Sequence, residues 1–170
     1  MVPVPARTYV ANPLWFFKKN QILLTLEKYA YAPGETIKGS VGLKLKRPLQ
    51  SRKLQVALIG LRIVHERPIA NKGPQTHVYT IYNFSIPLDG ENTYFNELYP
   101  FEIKIPSDIL ASAQQNLHST LTGLGKTLEE IGMMMQQLSV SDSQVEWSVE
   151  ARLDVPLKVD ICNAQKIVLS

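Results

Sequence analysis

Val145, Trp147, Val149, Ala151, Leu153 and Val155 alternate without a break with Glu146, Ser148, Glu150, Arg152 and Asp154. A period of two puts each set on its own face of an extended strand, with the apolar face turned to a core and the polar face to water. Ile37, Gly39, Val41, Leu43 and Leu45 repeat the pattern against Thr36, Lys38, Ser40, Lys44 and Lys46. A chain with two such stretches far apart in sequence folds as sheets, and the remaining segments agree. Gln21 to Glu27 alternates more weakly, and Phe101, Ile103 and Ile105 share an inward face.

Punctuation between the strands is equally specific. Ala32-Pro33-Gly34-Glu35 is a turn, because proline fixes φ at the first corner and glycine accepts the positive φ of the second. Arg47-Pro48-Leu49-Gln50 breaks the strand from Thr36, and Asp89-Gly90 closes the strand from Thr76 to Pro87, in which Val78, Tyr82, Phe84 and Ile86 are expected on one face. Between them Leu54, Val56 and Leu58 give way to Ile59, Leu61 and Ile63, a change of phase that predicts a bulge near Gly60. Pro156 ends or interrupts the strand from Val145, and a last extended segment runs from Lys158 to Leu169. Seven or so short strands punctuated by Pro and Gly predict an all-β fold, an immunoglobulin-like antiparallel β-sandwich.

One segment breaks the pattern. Between Pro106 and Gln144, Leu110, Ala113, Leu117, Leu121, Leu124, Leu128, Ile131, Met135 and Leu138 recur at steps of three or four, which is helical spacing. A helical insertion over about 107–141, within connecting residues 107–143, is therefore expected, with Ser107-Asp108 as N-cap and a break near Gly123 to Gly125.

The 170 residues, 45% of them hydrophobic, suffice for one core and predict a single lobe over 1–170. The lone Cys162 has no partner for an internal disulfide, and no N-terminal segment reads as a secretory signal, which points to the cytoplasm. No apolar run approaches the ~20 residues that cross a bilayer. Charge is unevenly spread: residues 1–75 hold 13 Lys and Arg against 3 acids, and residues 76–170 hold 5 against 12. Either neighbouring strands cancel this asymmetry or the fold keeps a basic face that attracts phosphate or anionic lipid.

The order of these segments resembles the N-terminal lobe of arrestins, in particular of the α-arrestin and retromer-subunit relatives. Three stretches carry the resemblance: Ile22 to Arg62 with its Pro33-Gly34-Glu35 turn, Tyr99-Pro100-Phe101 leading to Pro106, and Val145 to Pro156 ending in Leu153-Asp154-Val155-Pro156. The resemblance implies an antiparallel sandwich that acts as an adaptor or scaffold in membrane-protein trafficking or signalling. It departs from arrestins in the helical insertion, in having room for one lobe where arrestins pair two, and in lacking a Pro-Pro-x-Tyr motif. Phe17-Lys18-Lys19 resembles the paired lysines with which arrestins sense receptor phosphates. Lys44, Lys46 and Arg47, followed by Arg52 and Lys53, stand nearby in the family's arrangement. Lys18, Lys19, Lys44, Lys46 and Arg47 are thus the candidate donors to a phosphate or acidic partner; the alternative is a set of solvated cations flanking strands.

Catalysis finds little footing in the sequence. His65, His77 and His118 are scattered, Cys162 fits a small buried hydrophobe, and no nucleophile elbow, phosphate loop or metal-binding pair occurs. No enzyme activity, cofactor or metal is expected. Nucleic acid is disfavoured by the modest net charge of +3 and the lack of interleaved aromatics. The stripe Leu117, Leu121, Leu124, Leu128, Ile131, Met135 and Leu138 needs a cover: its own sandwich, a protein partner, a second copy of the chain or a membrane surface. Two functions follow as expectations: an arrestin-like adaptor that binds protein tails, acidic or phosphorylated ones included, or a structural module that oligomerises through the helical insertion.

Overall fold

The computed structural model describes residues 8–9, 20–66, 75–113, 127, 129 and 143–170. Among these residues the chain forms β1 (Thr8–Tyr9), β2 (Gln21–Leu26), β3 (Ala30–Tyr31), β4 (Thr36–Lys44), β5 (Leu49–Ser51), β6 (Lys53–Glu66), β7 (Gln75–Asp89), β8 (Asn92–Tyr94), β9 (Glu97–Lys104), β10 (Ser143–Asp154) and β11 (Ile161–Leu169). Two sheets carry the fold, one in the order β1-β9-β4-β2 and one in the order β3-β11-β10-β6-β7, and β5 pairs with β8 in a short ribbon. Every pairing is antiparallel except β11 with β3.

The alternating residues are what press the sheets together. Ile22, Leu24, Ile37, Val41, Leu43, Phe101 and Ile103 of one sheet meet Leu54, Val56, Leu58, Trp147, Val149, Ala151 and Leu153 of the other in one buried cluster. Each fully buried aliphatic side chain contributes about 1.5–3 kcal/mol over its exposed state. The weak alternation of β2 proves strict, with exposed and buried residues alternating along all of Gln21–Leu26.

Gly34 sits at φ +88, and Glu35 N donates to Ala32 O at 3.1 Å, the turn that the Pro-Gly pair predicts. Glu35 adds its own lock: its carboxylate accepts Lys28 Nζ at 2.8 Å and the Ala32 N–H at 2.8 Å. The hydrogen bond from Lys28, then that from Ala32, holds the carboxyl below the usual glutamate range. The stability this adds is present above the ordinary glutamate pKa of about 4.3 and is lost as pH falls through the lower folded-state value. Glu35→Gln should therefore flatten the acid limb of a stability-versus-pH curve below about pH 4; urea midpoints for both proteins across that range check it.

Two strand assignments need correction. The ladder between β6 and β10 runs without a slip from Val64↔Ser143 to Lys53↔Asp154. The irregularities lie between β6 and β7, where Gly60 faces Tyr82 while Leu61 faces Thr80, leaving Ile81 as the extra residue. The bulge predicted near Gly60 is thus present opposite it, on β7. Strand β6 keeps its even-numbered residues inward, and Ile59, Leu61 and Ile63 are half-buried on the other face. The extra residue also reverses the alternation of β7, so Val78 does not share a face with Tyr82: it is 58% exposed, and Ile81 is buried.

Of the helical insertion, residues 107–113, 127 and 129 are described, with a helical stretch over 109–113 entered as Ile109 N donates to Pro106 O at 3.3 Å and Ser112 N to Asp108 O at 2.9 Å. Ile109 and Ala113 join the core of the sandwich while Leu110 is 49% exposed, so the inward stripe starts one residue earlier than the spacing suggested. Leu117, Leu121, Leu124, Leu128, Ile131, Met135 and Leu138 lie outside the described residues.

Candidate binding edge

The pairing brings several segments to one end of the sandwich. Gln21 lies opposite Lys44, Leu49 opposite Tyr94, Lys53 opposite Asp154 and Leu153 opposite Ile161. That end therefore collects the start of β2, the β4–β5 corner, the β7–β8 turn and the β10–β11 turn. Lys44, Lys46, Arg47, Arg52 and Lys53 of the first half of the chain lie here.

Two asparagines shape the β4–β5 corner. Leu45 N donates to Asn96 Oδ1 at 3.0 Å and Lys46 N to Asn20 Oδ1 at 3.1 Å. With the backbone held there, the Lys46 and Arg47 side chains project into water, and Lys44, one step inside the strand, is half-buried. Lys44, Lys46 and Arg47 all lie at this corner, whereas Lys18 and Lys19 lie outside the described residues. Arg52 is committed elsewhere, its Nε donating to Asp154 Oδ1 at 3.1 Å. Together with Lys38–Glu102 at 3.0 Å, this pair joins a cation of the first half to an acid of the second, so neighbouring strands cancel part of the charge asymmetry and leave the corner basic.

Beside this corner runs the edge of a sheet. β2 is the terminal strand of its sheet, paired on one side with β4. Glu27 N donates to Lys38 O on β4, while Ile22 O turns the other way to accept Asn163 Nδ2 at 2.8 Å. Since backbone groups alternate in an antiparallel pair, the N–H and C=O of Ile22, Leu24 and Leu26 face away from β4. Between this edge and the start of β11 lies a groove of about 890 Å³ lined by Asn20, Leu23, Val159, Asp160, Cys162 and Asn163 among others. Cys162 is exposed in it, not the small buried hydrophobe its type suggested. A shallower depression of about 630 Å³ lies over Thr25, Glu27, Lys38, Ser40 and Glu102 on the outer side of the same sheet, where Lys38 pairs with Glu102 at 3.0 Å and Glu27 adds a second acid.

An edge with outward amides, a groove with an apolar wall at Leu23 and Val159, and cations at its mouth can take an extended peptide: the backbone by strand addition, its acids by Lys46 and Arg47. Sequence reasoning missed Asn163, although a signal was there: Asn163 occupies the half-buried phase of β11, shared by Ile161, Gln165, Ile167 and Leu169. A polar residue in an inward phase needs a partner, and Ile22 O supplies it.

Searches against family models and against curated proteins give no match. Among solved structures, the chain is similar to Spo0M, a sporulation control protein from Bacillus subtilis, at 18% identity and a TM-score of 0.51, over 91% of this chain and 50% of that one. This chain thus spans about half the length of Spo0M. The fold is an all-β sandwich of the arrestin-like type. The described residues include no helix long and apolar enough to cross a membrane.

Proposed function

We propose that this lobe is a non-enzymatic adaptor module that binds an extended segment of a partner protein along the β2 edge, with Lys46 and Arg47 receiving acidic or phosphorylated side chains. The observation that carries the reading is the juxtaposition of the outward backbone groups of Leu24 and Leu26 and the outward N–H of Ile22, whose carbonyl Asn163 occupies, with the exposed cations of the β4–β5 corner. The arrestin-like fold supports it, as does a regulatory protein, Spo0M, on a similar sandwich.

Strand addition supplies affinity that depends little on sequence, and the cations supply selectivity for negative charge. Each hydrogen bond to a charged group is worth about 1.5–3 kcal/mol when the partner is lost. Lys46→Glu with Arg47→Glu should therefore weaken binding of a phosphorylated peptide by at least about tenfold and blunt its salt dependence. Fluorescence anisotropy with phosphorylated and unmodified versions of one peptide reads this out. Equal affinities for the two versions, or no change on reversing both charges, would remove Lys46 and Arg47 from the site.

A further inference from the structure

The β10–β11 turn presents Leu157 and Val159 fully to solvent, at 104% and 91% exposure. Leu157 also holds φ at 58, a left-handed backbone that costs a residue with a Cβ about 1–2 kcal/mol. The turn is fixed in place: Lys158 N donates to Val155 O at 3.3 Å, Val155 N donates to Asp160 Oδ1 at 3.1 Å, and Asp160 lies 3.7 Å from Arg152. A rigid, strained corner that lifts two aliphatic side chains away from the core is no part of the sandwich's own packing.

Charge surrounds this tip. Lys158 lies between the two aliphatics, and Lys46, Arg47 and Lys53 are exposed at the same end. Among the acids there, Asp154 is paired with Arg52, Asp160 lies 3.7 Å from an Arg152 that holds Glu150 at 2.8 Å, and Asp89 accepts from Gly90 N and Asn92 Nδ2, which leaves the exposed Glu91 of the β7–β8 turn and a partly compensated Asp160. Two aliphatic side chains on one turn fall far below the ~1,000 Å² that a stable protein interface buries. A lipid surface asks for less, because single apolar side chains enter the boundary between headgroups and acyl chains while cations meet anionic headgroups.

We propose that this end of the sandwich docks on an anionic membrane surface, with Leu157 and Val159 entering the interface and Lys158, Lys46, Arg47 and Lys53 facing the headgroups. Leu157 does not line the β2 groove, so docking and peptide capture are separable at that residue, whereas Val159, Lys46 and Arg47 serve both.

The test is co-sedimentation of the full chain with vesicles of phosphatidylcholine, with and without phosphatidylserine. The expected result is binding to the phosphatidylserine vesicles alone, weakened about fivefold by Lys158→Gln and by raised salt. Leu157→Asn with Val159→Ser should abolish it, since both positions are exposed and asparagine tolerates the left-handed backbone, so the variant keeps its fold; Leu157→Asn alone, outside the groove, should weaken vesicle binding while leaving peptide affinity unchanged. As a second readout, Leu157→Trp should add a blue-shifted emission component on phosphatidylserine vesicles. Three results overturn the proposal: no binding to either vesicle, equal binding to both, or full binding by the Leu157→Asn, Val159→Ser variant. Displacement of the chain from vesicles by soluble glycerophosphoserine would also overturn it, assigning the site to a free phosphate and not to a surface.

Discussion

Trp147→Ala is expected to lower the stability of the sandwich by about 3–5 kcal/mol, the cost of emptying a large aromatic site in a packed core. Trp147 is 5% exposed, packs against Tyr82 with ring centroids 5.9 Å apart, and lies directly opposite Gly60 on β6. Its ring occupies the place that a side chain at position 60 would fill: a Cβ there would stand 2.6 Å from the indole Cζ3. Gly60→Ala alone is therefore expected to cost about 1–3 kcal/mol by overpacking. The nearest atoms are all ring atoms, so in a Trp147→Leu background the added methyl should become nearly neutral. Urea denaturation of the four proteins of this double-mutant cycle measures it, and additive losses would show that the ring and the glycine are not coupled.

Gly39→Ala is expected to cost about 2–3 kcal/mol, and truncating its aromatic neighbour should not relieve the loss. The same device recurs in the other sheet, where Gly39 on β4 lies opposite Phe101 on β9. Here a Cβ would stand 2.8 Å from Phe101 Cζ, but closer still, at 2.4 Å, is the backbone oxygen of Thr25 on β2. A ring can rotate or be shortened; a strand carbonyl moves only with its strand. Gly39→Ala therefore pushes β2 away from β4 and should weaken peptide binding along with stability. The distinguishing comparison is Gly39→Ala with and without Phe101→Leu in thermal and urea unfolding: full rescue by Phe101→Leu would contradict this geometry.

These two glycines show what alternation can and cannot reveal. The inward faces of β4, β9 and β10 are readable because Ile37, Val41, Ile103, Val149 and Leu153 are apolar while their neighbours are polar, and burial follows that contrast. β6 is ambiguous because it is an interior strand with apolar residues on both faces, so Ile59, Leu61 and Ile63 imitate a change of phase. Gly60 there signals an aromatic cover from β10, and the bulge falls on β7 at Ile81, an ordinary strand residue with nothing local to mark it. The Ala32–Glu35 turn is legible because its chemistry is local.

The candidate site divides the same way. Lys44, Lys46 and Arg47 adjoin in sequence, so their grouping is visible at once. That β2 ends a sheet, and that its outward carbonyl at Ile22 reaches Asn163, depends on the order of strands across the whole fold, which no local pattern encodes. The exposure of Leu157 and Val159 is hidden for a similar reason. The extended segment expected from Lys158 takes in Val159, whereas β11 begins at Ile161 and the left-handed Leu157 makes the residues between into a corner.

Residue-resolved amide exchange on the intact chain, with and without a phosphorylated peptide, tests the peptide-binding claim most directly. The outward amides of Ile22, Leu24 and Leu26 should exchange more slowly when the peptide is bound, with the same peptide lacking phosphate giving weaker protection and the Lys46→Glu, Arg47→Glu variant giving less still. Protection confined to other strands, with β2 exchanging as fast as in the free chain, would contradict binding along this edge.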